Sequence, residues 1–365
     1  MNIIGHKTSV KQGKNKMVFS YYLSKYPYKL IWNLLKLMGK TEKVVFYCGN
    51  EIDIKIFEPI QKYLPSMPIV VKNKKIKKHL KTLGIESKCL PCFPEMVITC
   101  RQAAYRFPEE KILKFGFRHG PYHFKPFANI TGYNMNTEFF MTSSQEVKEA
   151  IEAGITCATA VGYPKIDYAF DGTYDEKYLQ ILKDKIGISS QKKTVLFTAT
   201  WDKSGVSGIA KWYDKLSEFT LQYNVLVTVH PSTSEHYIEK IKSTSNVYFI
   251  EDKNAVPYIM LSDVCIGDTS SILAECSALK KPIITFALPD GKRTVQKTMD
   301  IIKSISYRIN NLDELNPAIT YALTHPHQKD KQMDVANKIM FDELDGLAGK
   351  RAADIILNYL QTLDS

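Results

Sequence analysis

From residue 44 onward, short apolar runs alternate with stretches of helical spacing. Runs at 44–47, 68–71, 96–99, 112–118 and 139–142, and one ending at Val161, have the continuous apolar character of strands buried on both faces. Between them, 54–63, 74–83 and 145–153 repeat apolar residues every three or four positions, as a helix packed on a sheet does. The pattern then restarts. Strands are predicted at 194–198, 224–229, 247–250, 264–267 and 282–286, with helices near 209–223, 235–243, 255–261 and 271–279. Two successive βα arrays predict an α/β protein of two doubly wound parallel-sheet, Rossmann-like domains with a cleft between them. The first is expected over 44–170 and the second over 185–311, with a linker at about 163–184. Helices over 312–365 are expected to pack on either domain.

The segment ahead of the first strand has a different character. Residues 1–43 hold nine lysines and one acidic residue, Glu42. Within them Pro27 suits a first helical turn, and Leu30, Ile31, Leu34, Leu35 and Met38 recur at helical spacing among Lys29, Lys36 and Lys40. A basic amphipathic helix edged with Trp and Tyr fits an anionic membrane surface. The same helix fits docking onto the first sheet. Periodicity leaves both open.

Composition narrows the class. The 365 residues are 44% hydrophobic and 24% charged, without a run of apolar residues long enough to span a membrane. The polar N-terminus lacks a signal-peptide core, and seven scattered cysteines point to a reducing compartment. Cys89 and Cys92 have the spacing of half a zinc site, with Cys100 nearby, but no second pair follows, so free thiols are expected. A net charge of +11 calls for an anionic partner, either phosphorylated substrates or lipid headgroups. Nucleic acid is not expected, because no helix-turn-helix, finger or RNP signature accompanies the charge.

In parallel sheets ligands bind beyond the carboxyl ends of the strands, so the polar residues there matter most. The strand at 264–267 runs into Asp268-Thr269-Ser270-Ser271 at the start of a helix. Hydroxyls and unpaired amides in that position favour an anion, phosphate above all, whereas ordinary capping would need one of them. Glu275, one turn on, faces the same mouth and suits ribose hydroxyls. A second strand delivers His230-Pro231, and a third delivers Thr200 ahead of a loop with Gly205 and Gly208. In the first half, Arg118-His119-Gly120 ends a strand, with His123 and Lys125 adding positive charge. A histidine at a strand end donates to phosphate or moves a proton; as a lone residue it is an ordinary loop histidine. One in each half suggests a site in the cleft. No P-loop, G-x-G-x-x-G or H-E-x-x-H motif is present, nor an Asp-x-Asp motif for a metal-held diphosphate. No metal or other cofactor is expected.

These landmarks, in this order, resemble the CDP-glycerol glycerophosphotransferases of teichoic-acid and capsule synthesis, a family similar in architecture to GT-B glycosyltransferases. Phe117-Arg118-His119-Gly120 looks like the family's Trp-His-Gly, and Gly162-Tyr163-Pro164-Lys165-Ile166-Asp167 like its Gly-Tyr-Pro-Arg-x-Asp. Thr198-Ala199-Thr200-Trp201 is similar to Tyr-x-Pro-Thr-Trp, and Val229-His230-Pro231 to Leu-His-Pro. Asp268-Thr269-Ser270-Ser271 followed by Lys281-Pro282-Ile283 looks like its Asp-Tyr-Ser-Ser and Lys-Pro-Ile. The chain departs from the pattern at Pro121-Tyr122, Asp202, Thr269 and 287–290, all expected beside the substrates.

The resemblance implies a transferase at the inner face of the cell membrane. It would move glycerol phosphate, or a related polyol phosphate, from a CDP-linked donor to a hydroxyl of a lipid-linked or glycan acceptor. His119 and His230 would be the catalytic pair. Thr200, Thr269, Ser270 and Ser271 would hold the donor phosphates, and Pro231, Asp268 and Glu275 the nucleotide. Arg118, Gly120 and Lys125 would face the acceptor. A GT-B glycosyltransferase using a nucleotide sugar, a UDP-sugar 2-epimerase and a non-catalytic polyanion- or lipid-binding protein are the rivals.

Overall fold

The computed structural model describes residues 19–122, 126–291 and 294–364. The first half runs α1 (Phe19–Leu37), β1 (Glu42–Cys48), α2 (Asp53–Gln61), β2 (Ile69–Val71), α3 (Lys74–Thr82), β3 (Lys88–Cys89), β4 (Pro94–Cys100), β5 (Leu113–Phe117), α4 (Ile130–Tyr133), β6 (Glu138–Met141), α5 (Ser144–Glu152) and β7 (Ala158–Ala160). Its strands form one parallel sheet in the order β3-β2-β1-β4-β5-β6-β7.

The second half runs α6 (Glu176–Ile186), β8 (Lys193–Ala199), β9 (Tyr223–Val229), α7 (Glu235–Lys242), β10 (Val247–Phe249), α8 (Val256–Leu261), β11 (Val264–Gly267), α9 (Ile272–Ala278), β12 (Ile283–Phe286), α10 (Gln296–Ile305) and β13 (Ser306–Ile309). The second sheet is also parallel, ordered β10-β9-β8-β11-β12-β13. Three helices close the chain: α11 (Leu315–Thr324), α12 (Asp330–Phe341) and α13 (Ala348–Asp364).

The central strands are apolar throughout because both faces of each sheet are covered. In β1, Val45 and Tyr47 pack with Trp32 of α1, while Phe46 and Cys48 pack on the other face with Phe57 of α2 and Ile356 of α13. Helix α1 divides its surface accordingly. Trp32 is buried and donates from its indole to Pro94 O at 2.7 Å, and Tyr28 donates to Cys92 O at 2.8 Å. Lys25 and Lys29 pair with Glu110, and Lys36 with Glu95. The opposite stripe, Leu23, Tyr26, Leu30, Leu34 and Leu37, stays exposed. Docking therefore holds for one face only, and residues 1–18 lie outside the described residues. All seven cysteines, Cys89 and Cys92 included, are free.

Two expectations from the pattern fail. Residues 209–223 form no α-helix but turns, at Ile209–Lys211 and Leu216–Glu218. Ile209, Trp212, Leu216 and Phe219 are all buried, with Trp212 and Phe219 against Phe197, and anchors three or four apart seat a run of tight turns as well as a helix. The linker is also no spacer. It contains a buried turn at Pro164–Ala169 and then α6, whose first turn is capped by Asp175 accepting from Tyr178 N.

The closing helices span both halves. Helix α12 lies against α5, α9 and α10; Thr142 Oγ1 donates to Met340 O at 2.8 Å, and Ser143 Oγ to Ile339 O at 2.6 Å. Helix α13 then returns to α2. Its first amides, Ala348 N and Gly349 N, donate to the buried Asp167 carboxylate at 3.2 and 2.6 Å, and burial pushes that carboxyl up to about 7 against their pull. A Cβ on Gly349 would lie 2.6 Å from Pro59 O. Gly349→Ala is therefore expected to lever α13 off α2 and cost about 1–3 kcal/mol, read as a lower urea midpoint. An unchanged midpoint would mean that this contact yields without cost.

Candidate functional site

In the second sheet the strand order reverses between β8 and β11, so the crevice beyond their ends is the place for a ligand. Asp268, the first residue past β11, is 2% exposed. Its carboxylate accepts from Thr200 N at 3.0 Å, Gly208 N at 2.9 Å, Ser270 N at 3.0 Å and Thr269 N. Burial raises its pKa, and these four amides oppose the rise. The acceptor positions of this side chain are thus taken up by backbone. One carboxylate, expected to contact the nucleotide, thus holds three loops in register. Thr269 is also turned inward, its hydroxyl donating to Val206 O at 3.1 Å, and Ser207 Oγ donates to Thr200 O at 3.0 Å. Ser270 and Ser271 remain half-buried at the mouth.

His230 follows β9 and continues the ladder, donating its amide to Ala199 O at 3.1 Å. The exposed ring accepts from Ser232 N at Nδ1, 3.1 Å away, which places the proton of the neutral imidazole on Nε2. Pro231 sits inside the turn closed by Thr233 N to His230 O at 2.9 Å. Asp202, one of the departures from the resembled pattern, ties the loop after β8 to the start of α7 by accepting from Ser234 N and Oγ at 2.9 and 2.6 Å.

Across the cleft, β5 ends in Arg118-His119-Gly120. Arg118 does not face the cleft as expected. Its guanidinium reaches back to Tyr133 Oη at 3.0 Å and Tyr122 O at 3.1 Å, with Nε 3.3 Å from the buried Glu146. Its charge is neutralised within the wall of the first sheet. His119 is exposed, and its carbonyl accepts from the Tyr163 hydroxyl at 3.3 Å. Lys125 and His123 lie outside the described residues.

The two sides meet beside the site at Gly120 and at Lys165. A Cβ on Gly120 would stand 3.3 Å from Ser271 Oγ, so glycine lets the strand end come close to that hydroxyl, and a larger residue would need the serine side chain to give by a few tenths of an ångström. Close by, Lys165 pairs with Glu275 at 2.9 Å, their side chains 6% and 2% exposed. Glu275 Oε2 has no hydrogen-bond partner among the described residues. Tyr163 is buried between the two halves, its hydroxyl held well above the ordinary phenol range first by burial and then by the Glu275 charge. The fold thus gathers Thr200, Asp268, Thr269, Ser270, Ser271, Gly120 and Glu275. Lys165 and Tyr163 join them, and no helical or strand pattern marks either. Their signal in the sequence is the Gly162–Asp167 motif, which carried the resemblance without marking either as a site residue.

Comparison with known proteins gives a family and a fold. The profile of the family described as CDP-Glycerol:Poly(glycerophosphate) glycerophosphotransferase matches residues 115–358. The teichoic acid poly(glycerol phosphate) polymerase of Bacillus spizizenii is 27% identical over 164 residues, 42% of this chain and 39% of that protein. The teichoic acid ribitol-phosphate polymerase TarK of Staphylococcus aureus is 28% identical over 176 residues, 44% of this chain and 34% of that one. The match thus spans well under half the length of these relatives. Among solved structures, the wall teichoic acid polymerase TagF superposes with a TM-score of 0.64 at 14% identity, covering 93% of this chain and 98% of its own. The UDP-GlcNAc 2-epimerase of Neisseria meningitidis gives 0.57 at 14%, covering 88% and 100%. At such identities both likenesses are of fold.

Lys165→Met would strand the Glu275 charge in the interior, with an expected cost of about 3–5 kcal/mol in chemical denaturation. Adding Glu275→Leu removes the stranded charge and is expected to recover most of that loss. A double variant no more stable than Lys165→Met would mean that the pair is not energetically coupled.

Proposed function

The chain belongs to the CDP-glycerol:poly(glycerophosphate) glycerophosphotransferase family, and on that premise we propose that it transfers a polyol phosphate, glycerol phosphate first among them, from a CDP-linked donor to an acceptor hydroxyl in cell-surface polymer synthesis. The observation that carries the reading is the approach of Gly120 to Ser271. It brings the strand end bearing His119 against the turn that would hold the donor phosphates, as a reaction between two bound substrates requires.

In this reading the acceptor oxygen forms a bond to the phosphorus that carries the polyol. The bond from that phosphorus to the bridging oxygen breaks, and CMP leaves with the electron pair. His119 takes the acceptor proton. Thr200, Ser270 and Ser271 supply hydroxyls to the diphosphate, and His230 offers the Nε2 proton to a phosphate oxygen as charge develops. Asp268 acts only through the loops that it holds. Glu275, buried against Lys165, acts from beneath the turn as the tie between the two halves.

The same reading extends to location. No helix among the described residues is long and apolar enough to cross a membrane. The exposed stripe of α1 from Leu23 to Leu37 fits a helix lying in the interface of the inner leaflet, with the rest of the molecule in the cytoplasm.

Incubation with CDP-glycerol, CDP-ribitol and UDP-sugars is expected to release CMP from a CDP-polyol only when an acceptor is present. Release of UDP alone would exclude polyol-phosphate transfer and favour one of the rival chemistries. His119→Ala is expected to lower kcat by about 100- to 10,000-fold with little change in donor KM. Ser270→Ala with Ser271→Ala should instead weaken donor binding by about tenfold or more. For the membrane reading, Leu30→Ser with Leu34→Ser and Leu37→Ser should abolish co-sedimentation with anionic liposomes; equal sedimentation by the variant would rule out this stripe as the contact.

A further inference from the structure

The first sheet has a strand-order reversal of its own. From β1 the chain moves outward to β2 and β3, then returns to β4 on the other side of β1. The crevice beyond the ends of β1 and β4 is therefore a second topological switch point, and the donor chemistry described above leaves it unused. Arg101, the first residue past β4, occupies it. Its φ of 66° is a left-handed conformation uncommon for a side chain of this size, and its amide donates to Phe117 O at 2.8 Å.

The guanidinium of Arg101 is set for a ligand and not consumed by the fold. Its Nε stands 3.5 Å from Asp53 Oδ1, and neither atom has a hydrogen-bond partner among the described residues. Asp53 is 1% exposed and fixed through its other oxygen, which accepts from Gly49 N and Asn50 N at 2.9 Å each. The arginine side chain remains 40% exposed. A buried carboxylate oriented by backbone thus steadies one edge of a guanidinium whose side chain is otherwise part exposed, and a planar fork so held suits a phosphate.

The register places this arginine beside the reacting residues. Cys100 is paired with Phe117, so Arg101 adjoins Arg118 and stands one residue from His119. On its other side, Cys48 is paired with Val71, and Lys72 follows β2 directly. Neighbouring strands are about 4.8 Å apart, so His119, Arg101 and Lys72 lie along one edge spanning roughly 15 Å. Lys74 and Lys75, exposed in the first turn of α3, prolong the row. A single arginine accommodates one anion. A row of cations leading away from the base accommodates a chain of them.

Building on the transfer reading, we infer that this edge binds the acceptor: Arg101 takes the phosphate nearest the attacking hydroxyl, and Lys72, Lys74 and Lys75 take phosphates further back along a polyphosphodiester chain. The full chain, titrated against a fluorescent oligo(glycerol phosphate), is expected to bind it and to lose about ten- to hundredfold in affinity on Arg101→Gln. Acceptor KM should rise in parallel while donor KM stays unchanged. Arg101→Lys should restore part of the loss. Lys72→Gln with Lys74→Gln and Lys75→Gln, all on the surface, should weaken long oligomers more than a single glycerol phosphate unit and flatten the salt dependence.

Wild-type affinity for the oligomer in Arg101→Gln, an equal rise in donor KM, or binding of anionic vesicles in place of the oligomer would each overturn the inference. Oligomer binding is read without turnover. A wild type that binds the oligomer through Arg101 yet releases no CMP refutes the transfer reading and leaves this subsite standing. Release of CMP with acceptor KM indifferent to Arg101 refutes the subsite alone.

Discussion

A carboxylate removed from water must find donors or give up its charge, and at the end of β11 the donors that Asp268 finds are four backbone amides. They come from three separate stretches: the end of β8, the loop at Gly208 and the Thr269–Ser270 turn itself. No one of these would hold its shape alone, because a loop at the rim of a sheet has few apolar contacts to fix it. Where Thr200, Ser270 and Ser271 stand relative to one another follows from that single group. A site without such a centre would have to be ordered by its ligand, and the ordering would weaken binding.

The second constraint lies between the halves. Lys165 and Glu275 are each almost fully removed from solvent, a state that an ion tolerates only opposite its counter-ion. Such a pair adds little net stability over an apolar pair of the same volume. It does make one relative placement of the two halves far better than its neighbours. Gly120 and Ser271 occupy the same seam, so the placement that the ion pair selects is also the one that closes the distance between the two sides of the site.

Most of the architecture was legible in the residue pattern, because parallel strands buried on both faces are uninterrupted apolar runs and few other structures produce them. The limits were local. Spacings of three and four residues from Ile209 to Phe219 serve turns as well as a helix, and the pattern does not distinguish them. Side-chain direction was less accessible. Arg118 and His119 are adjacent at a strand end, yet Arg118 turns back to Glu146 while the ring of His119 stays at the surface. The partner of Glu275 lies 110 residues earlier, and neither local sequence suggests a buried ion. Asp268 lies where the strand pattern put it, but its four amide donors come from three stretches that no local pattern connects. Arg101 carried no motif at all; its position appears only once the strand order is known.

The chain passes between the halves twice, once through the Pro164–Ala169 turn into α6 and once from α12 back into α13. Two crossings define a line. A rotation about that line is the relative movement of the two sheets that would stretch the two connections least. Asp167 stands at this axis, since it belongs to the first crossing and caps the helix that begins the first half's share of the second. In any such rotation the residues near the line would travel least and those at the far rim of the cleft most.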